Sequence, residues 1–231
     1  MLRLENLILS QDDFRLTADW SVADGARVAI IGPSGAGKST LLSAIAGFFA
    51  PTSGRIWWND RDLAPVPPGE RPVTMLFQDQ NLFPHLTLDQ NLGLGLRPDL
   101  RLSPTQKAQL GHALERVGLS GMGARRPGSL SGGQIGRAAL ARALLRARPL
   151  MLLDEPFAAL GPALKAEMLT LVGDVARETG ATVLMVTHDP TDAQSFADQT
   201  VFLNEGVAHP PAPTAGLFAN PTPALRAYLG R

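Results

Sequence analysis

The stretch Gly32-Pro33-Ser34-Gly35-Ala36-Gly37-Lys38-Ser39-Thr40 constrains this chain more than any other. It follows a short apolar run, Arg27 to Ile31, that reads as a buried strand. It precedes Leu41, Leu42, Ile45 and Ala46, which recur at helical spacing on the way to Phe48. Strand, glycine-rich turn and helix in that order fit the pattern G-x-x-x-x-G-K-[ST]. Glycines let the backbone curl until successive N–H groups point at one anion, and the helix starting near Lys38 adds its positive end. Lys38, one of only three lysines in the sequence, supplies a mobile charge for the β- and γ-phosphates of a nucleotide. Ser39 supplies a hydroxyl ligand for Mg²⁺. A glycine-rich turn also arises by chance, but the flanking strand and helix are what the phosphate reading requires.

Leu150-Met151-Leu152-Leu153-Asp154-Glu155 is the natural second half of such a site. A buried strand there delivers two carboxylates at its C-terminal end, where open α/β sheets place their ligands. Asp154 is suited to hold Mg²⁺, directly or through water. Glu155 is suited to orient or deprotonate an attacking water. Hydrolysis with these parts is mostly positioning and charge neutralisation.

The remaining patterns place these motifs in an α/β chain. Phe14, Leu16, Ala18, Trp20 and Val22 alternate as in a half-buried strand, and Leu2, Leu4, Leu7 and Leu9 suggest an earlier strand with a slip near Asn6. Asp24-Gly25 marks a turn. Further strands are expected at Ile56–Trp58, Val73–Phe77, Leu150–Leu153 and Thr182–Val186. Helices are expected at Thr87–Leu94, Pro104–Val117, Gly132–Ala147 and Pro162–Thr179. The proline-rich stretch 64–72 reads as a loop and the tail 209–223 as irregular. Strands alternating with helices imply a parallel sheet covered by helices, with residues 84–147 forming a helical lobe between strands.

Composition removes several classes of function. With 21 basic and 21 acidic residues the net charge is +0, which disfavours nucleic acid as a partner. The arginines at 125–126 and 137–148 read as a solvated helix face. No cysteine is present, so disulfides and thiolate chemistry are excluded. The N-terminus shows no secretory pattern, and no apolar run approaches the ~20 residues needed to span a bilayer. The expectation is a cytosolic chain, or one held at a membrane through a partner.

Leu130-Ser131-Gly132-Gly133-Gln134, lying between the phosphate loop and the carboxylate strand, resembles the signature of the ATP-binding-cassette (ABC) ATPases. Gln78, after Val73–Phe77, resembles that family's Q-loop glutamine, and His188, after Thr182–Val186, its switch histidine. The resemblance covers essentially the whole chain. It implies a single domain over 1–231: a P-loop NTPase (RecA-like) core with a parallel sheet, an N-terminal antiparallel β subdomain, and an inserted helical subdomain at 84–147 carrying the signature. It implies ATP and Mg²⁺ as ligands, Glu155, His188 and Gln78 in catalysis, and Ser39, Gln78 and Asp154 around the metal. A second copy is expected to pack head to tail, so that its Ser131, Gly132, Gly133 and Gln134 close over the nucleotide. Integral membrane permease subunits are the implied partners, with a periplasmic solute-binding protein acting indirectly, on the cytoplasmic face of the inner membrane. The stretches Met75–Phe83 and Gln90–Leu96 resemble the members serving bacterial thiamine import, and much of them also resembles importers of iron, polyamines or molybdate. A soluble non-transport ATPase and a nucleotide-gated regulatory module are the competing readings.

The sequence departs from the family at three places. Gly161 stands where an aspartate usually contacts the opposite subunit. The adenine-stacking aromatic falls near Gln11, which is not aromatic; Phe14 is the nearest substitute, but its alternation with Leu16 points to the core, so neither is assigned. Ile135-Gly136-Arg137 replaces a more polar run. Phe83 is open between a partner-facing residue and a buried anchor, and His85 reads as a surface histidine.

Overall fold

The structure is a computed structural model describing residues 1–77, 82–158 and 160–230. Strands β1 (Leu2–Gln11) and β2 (Phe14–Val22) form an antiparallel hairpin. Leu2, Leu4, Leu7 and Leu9 are all buried although Leu4 and Leu7 are three residues apart, one too many for a regular strand. The register shifts between Leu4 and Leu7, and Asn6 at φ 45° absorbs the extra residue as a bulge, which returns the leucines to one face.

The chain continues through β3 (Arg27–Ile31), α1 (Lys38–Ala46), β4 (Ser53–Trp58), β5 (Arg61–Asp62) and β6 (Val73–Leu76). Helices α2 (Leu88–Leu96), α3 (Pro104–Arg116) and α4 (Gly132–Leu145) follow, then β7 (Leu150–Asp154), α5 (Pro162–Thr179), β8 (Thr182–Val186) and α6 (Pro190–Phe196). The last elements are β9 (Gln199–Asn204), β10 (Val207–Ala208), β11 (Ala212–Pro213), α7 (Thr214–Ala219) and α8 (Pro223–Tyr228). The strand order is β5-β4-β1-β2-β10-β9-β3-β8-β7-β6, with β11 paired to β9. Strands β9, β3, β8, β7 and β6 run parallel, whereas β1, β2, β4 and β5 pair antiparallel.

Both faces of the parallel strands are covered, with the period of two that a strand imposes. Val28, Ile30, Leu150, Leu152, Leu184 and Val186 pack into one core with Leu41, Leu42 and Ile45 of α1. The intervening Ala29, Ile31, Met151, Leu153, Val183 and Met185 pack into a second core with α5 and α6. Helices α2 to α4 fall within 84–147 and share a third core built on Leu88, Leu92, Leu110 and Leu114. Helix α4 serves two cores at once, with Ala139 and Leu140 turned to the sheet and Ala138 and Ala141 to α2 and α3.

One sequence expectation is corrected here. The tail 209–223 is not irregular: β11 and α7 lie within it and α8 starts at its last residue, because Pro213 stands at the cap of α7 and Pro223 in the first turn of α8, where no backbone N–H is required. Strand β9, unread in the sequence, lies beside β3. The proline-rich loop also holds a buried clip. The Arg71 guanidinium donates to the carbonyls of Ala44 and Ile45 at 2.9 and 2.8 Å and to Val66 at 2.9 Å, tying down the C-terminal end of α1. Among the described residues no helix is long and apolar enough to cross a membrane.

Candidate nucleotide site

The loop between β3 and α1 is held by contacts that only glycine permits. Gly32 presses on β9, where an added Cβ would lie 2.2 Å from the Leu203 carbonyl oxygen. Gly37, at φ 96°, lies under the Phe14 ring, and a Cβ there would meet it at 2.4 Å. Gly37 is also the N-cap of α1. No side chain caps that end and no acidic residue occupies its first turn, so its N–H groups are left for an anion.

Lys38 is buried, and its Nζ donates to the carbonyls of Gly32 at 2.9 Å and Pro33 at 2.8 Å. Burial lowers its pKa, against the opposing pull of Glu155 and Asp154. The Ser39 hydroxyl donates to Asp154 Oδ1 at 3.0 Å. Burial raises the Asp154 pKa; the Ser39 bond and Lys38 counter it, and the Glu155 charge adds to it. A hydroxyl and an undercompensated carboxylate meeting at one point fit a hard divalent cation. Among the described residues no cluster of three or more His, Asp or Glu surrounds them.

Glu155 takes a left-handed backbone, φ 45°, a conformation that costs a non-glycine residue roughly 1–2 kcal/mol. Its N–H donates to the Val186 carbonyl at 3.1 Å, and its Oε2 lies 3.3 Å from His188 Nδ1. Strain of this kind gathers at functional sites. Lys38, Ser39, Glu155 and His188 line one cleft of about 620 Å³, together with Phe14 and Tyr228.

The structure therefore brings together the loop residues, Asp154, Glu155 and His188. It does not bring in the signature segment. Ser131 caps α4, its Oγ accepting from the Gln134 N–H at 3.3 Å while Gln134 Oε1 accepts from the Ser131 N–H at 2.9 Å. Ser131 and Gly132 are exposed, and none of residues 131–134 lines the cleft. Gln78 lies outside the described residues. Gln11 is exposed, whereas Phe14, placed in the core by its alternation, is half-buried and reaches both the core and the cleft. Phe83 and His85 are exposed. Tyr228 was missed because it comes from the tail; being the chain's sole tyrosine was its only signal.

A phosphate loop on a parallel sheet, with a carboxylate pair at the end of β7, one strand removed from β3, defines a nucleoside-triphosphate hydrolase. The sequence matches the ABC transporter family model over residues 17–158, and the chain belongs to that family. Thiamine import ATP-binding protein ThiQ of Cereibacter sphaeroides is 67% identical over 230 residues, covering 100% of each chain. The protein of the same name from Ruegeria sp. is 56% identical over 230 residues, also covering 100% of each. That of Yersinia pseudotuberculosis is 52% identical over 217 residues, 94% of this chain and 92% of its own. A dimeric ATP-binding cassette solved in a post-hydrolysis state with ADP and Pi has a TM-score of 0.83 at 29% identity, covering 93% of this chain and 99% of that one. The chain is an ABC ATPase with the fold of these cassettes.

Proposed function

We propose that this chain is the ATP-hydrolysing subunit of an ABC importer that carries thiamine across the bacterial inner membrane, held on the cytoplasmic face by permease subunits. The carrying observation is the cleft in which Lys38, the Ser39–Asp154 pair and the Glu155–His188 pair converge. The name shared by full-length relatives at 67% and 56% identity supports the cargo.

In this reading Lys38 leaves its loop carbonyls for the β- and γ-phosphates, and the N–H groups of Gly32 and of Ser34 to Thr40 wrap them. Ser39 and Asp154, with Gln78, would hold Mg²⁺, which would supply neutralisation of the phosphate charge. Glu155 takes the proton of the attacking water, and His188, at 3.3 Å, fixes its carboxylate. Phe14 offers its ring to adenine. The exposed α4 start of a second copy, with Ser131, Gly132, Gly133 and Gln134, closes over the γ-phosphate, so ATP joins two copies and hydrolysis parts them. Exposed Phe48 and Phe83, with Arg142 stacked on the Phe83 ring at 5.9 Å, offer the apolar surface for a permease.

Glu155→Gln tests the reading. The variant retains ATP, accumulates as a dimer by light scattering, and loses turnover by roughly 10²-fold or more. Undiminished steady-state ATPase removes Glu155 as base. Reconstituted with permease and binding protein, the parent's ATPase rises with thiamine; a rise with iron, a polyamine or molybdate in its place overturns the cargo.

A further inference from the structure

We propose that Tyr228 is a positioning residue of this ATPase, its hydroxyl holding the main chain of His188 so that the C-terminal helix sets where the imidazole meets Glu155. The inference rests on the hydrolytic reading of Glu155 above and adds to it a residue from an element outside the motifs.

Helix α8 is fixed on the core at two points of one face. Leu225 is fully buried, and three residues on, the Tyr228 ring packs on Phe202 at 5.8 Å between centroids. Thr222 caps the helix, its Oγ1 accepting from the Leu225 N–H at 3.3 Å. Phe202 neighbours Leu203 on β9, and Leu203 is the residue against which Gly32 presses. The strand that seats the tyrosine thus also seats the start of the phosphate loop. From there the Tyr228 hydroxyl donates to the His188 carbonyl at 3.3 Å. Burial raises the phenol's pKa, with a hydrogen bond from the Gly32 backbone pulling the other way and the Glu155 and Asp189 charges adding to the rise.

His188 needs an external hold. Its side chain is 62% exposed, and its imidazole meets Glu155 at 3.3 Å. On the far side, its neighbours are tied to α5 and α6: Asp189 accepts from Lys165 Nζ at 2.8 Å, and the Thr187 hydroxyl donates to Asp192 at 2.8 Å. On the cleft side the tie is Tyr228. Removing the hydroxyl leaves the His188 peptide free to tilt, and the imidazole with it, while the phosphate loop stays formed. Turnover should suffer and nucleotide binding should not.

The test compares Tyr228→Phe, which keeps the ring on Phe202, with Tyr228→Leu, which removes it, by steady-state Mg-ATPase and thermal unfolding. In Tyr228→Phe, kcat falls roughly three- to fivefold, the loss expected for one long O–H···O bond, while KM for ATP stays within about twofold. Its Tm stays within about 2 °C of the parent. Tyr228→Leu shows the same loss of kcat and a lower Tm. An unchanged kcat in Tyr228→Phe overturns the inference, as does a kcat that falls only together with Tm, which would make the residue a packing element alone. Glu155→Gln runs beside them. Turnover persisting there brings down the hydrolytic reading itself, whereas turnover lost there and intact in Tyr228→Phe brings down this inference alone.

Discussion

Asp154 keeps its carboxylate at the inner end of a strand where only 6% of the residue is exposed. The desolvation that raises its pKa means that the ionised native site is held against its own electrostatics until a cation arrives. Because the native pKa is above the unfolded one, the group's contribution to stability is greatest below the unfolded pKa and is lost as pH rises through the native one. Asp154→Asn keeps an acceptor for the Ser39 hydroxyl and removes the charge. The nucleotide-free variant should therefore melt at a higher temperature than the parent at pH 7, the gap should narrow on acidification, and ATPase should be lost. Thermal scans across pH check the first two. A variant less stable than the parent at neutral pH refutes the electrostatic account. Glu155, one residue on, carries its strain in the backbone at φ 45°. Two adjacent residues thus each oppose stability for the sake of the site, a known trade.

Helix ends separate α1, which follows the candidate phosphate loop, from the helices of residues 84–147. Helices α2, α3 and α4 each open with a capping box, Thr87 with Gln90, Ser103 with Gln106 and Ser131 with Gln134, while α1 opens on bare glycine. At its other end α1 is closed by the Arg71 guanidinium on Ala44 and Ile45. Arg71→Ala should cost on the order of 3 kcal/mol, the scale of hydrogen bonds to a charged group, and lower Tm by roughly 6–12 °C. A calorimetric shift of under a degree or so would show the clip to be idle. The phosphate loop and the carboxylate strand were legible because each is written in neighbouring residues. Arg71, Phe14, β9 and Tyr228 were not, because each is decided by distant chain. Arg71 sits among prolines that announce only a loop. Phe14 satisfies an alternation that says nothing of the Gly37 beneath it. The run Val201-Phe202-Leu203 is too short to read without β3 beside it, and Tyr228 reaches the cleft only because Leu225 docks.

In the whole molecule the two proposed halves of one nucleotide site lie apart, the loop cleft in one place and the α4 cap exposed elsewhere, which is why a second copy enters the reading. In the proposed dimer Gly161 would bear on how two such sites inform each other. It caps α5 in extended geometry without a side-chain bond, and a Cβ there meets nothing within 4 Å. Gly161→Asp is therefore free of steric cost and should gain a few tenths of a kcal/mol as an N-cap. If the carboxylate restores contact with the opposite copy, the Hill coefficient or the rate of ATP hydrolysis changes. Kinetics matching the parent make the missing carboxylate irrelevant. No feature of the structure explains Gly136, buried within α4. The alanines that follow it are another matter. Ala138 and Ala141 turn one way from α4 and Ala139 the other. Methyl groups have no length with which to interlock, so at these positions α4 rests on smooth bearings, and Leu140, buried against the sheet, is the meshed tooth that holds it. A leucine at Ala138 would turn that bearing into a bolt, at an overpacking cost of roughly 1–3 kcal/mol.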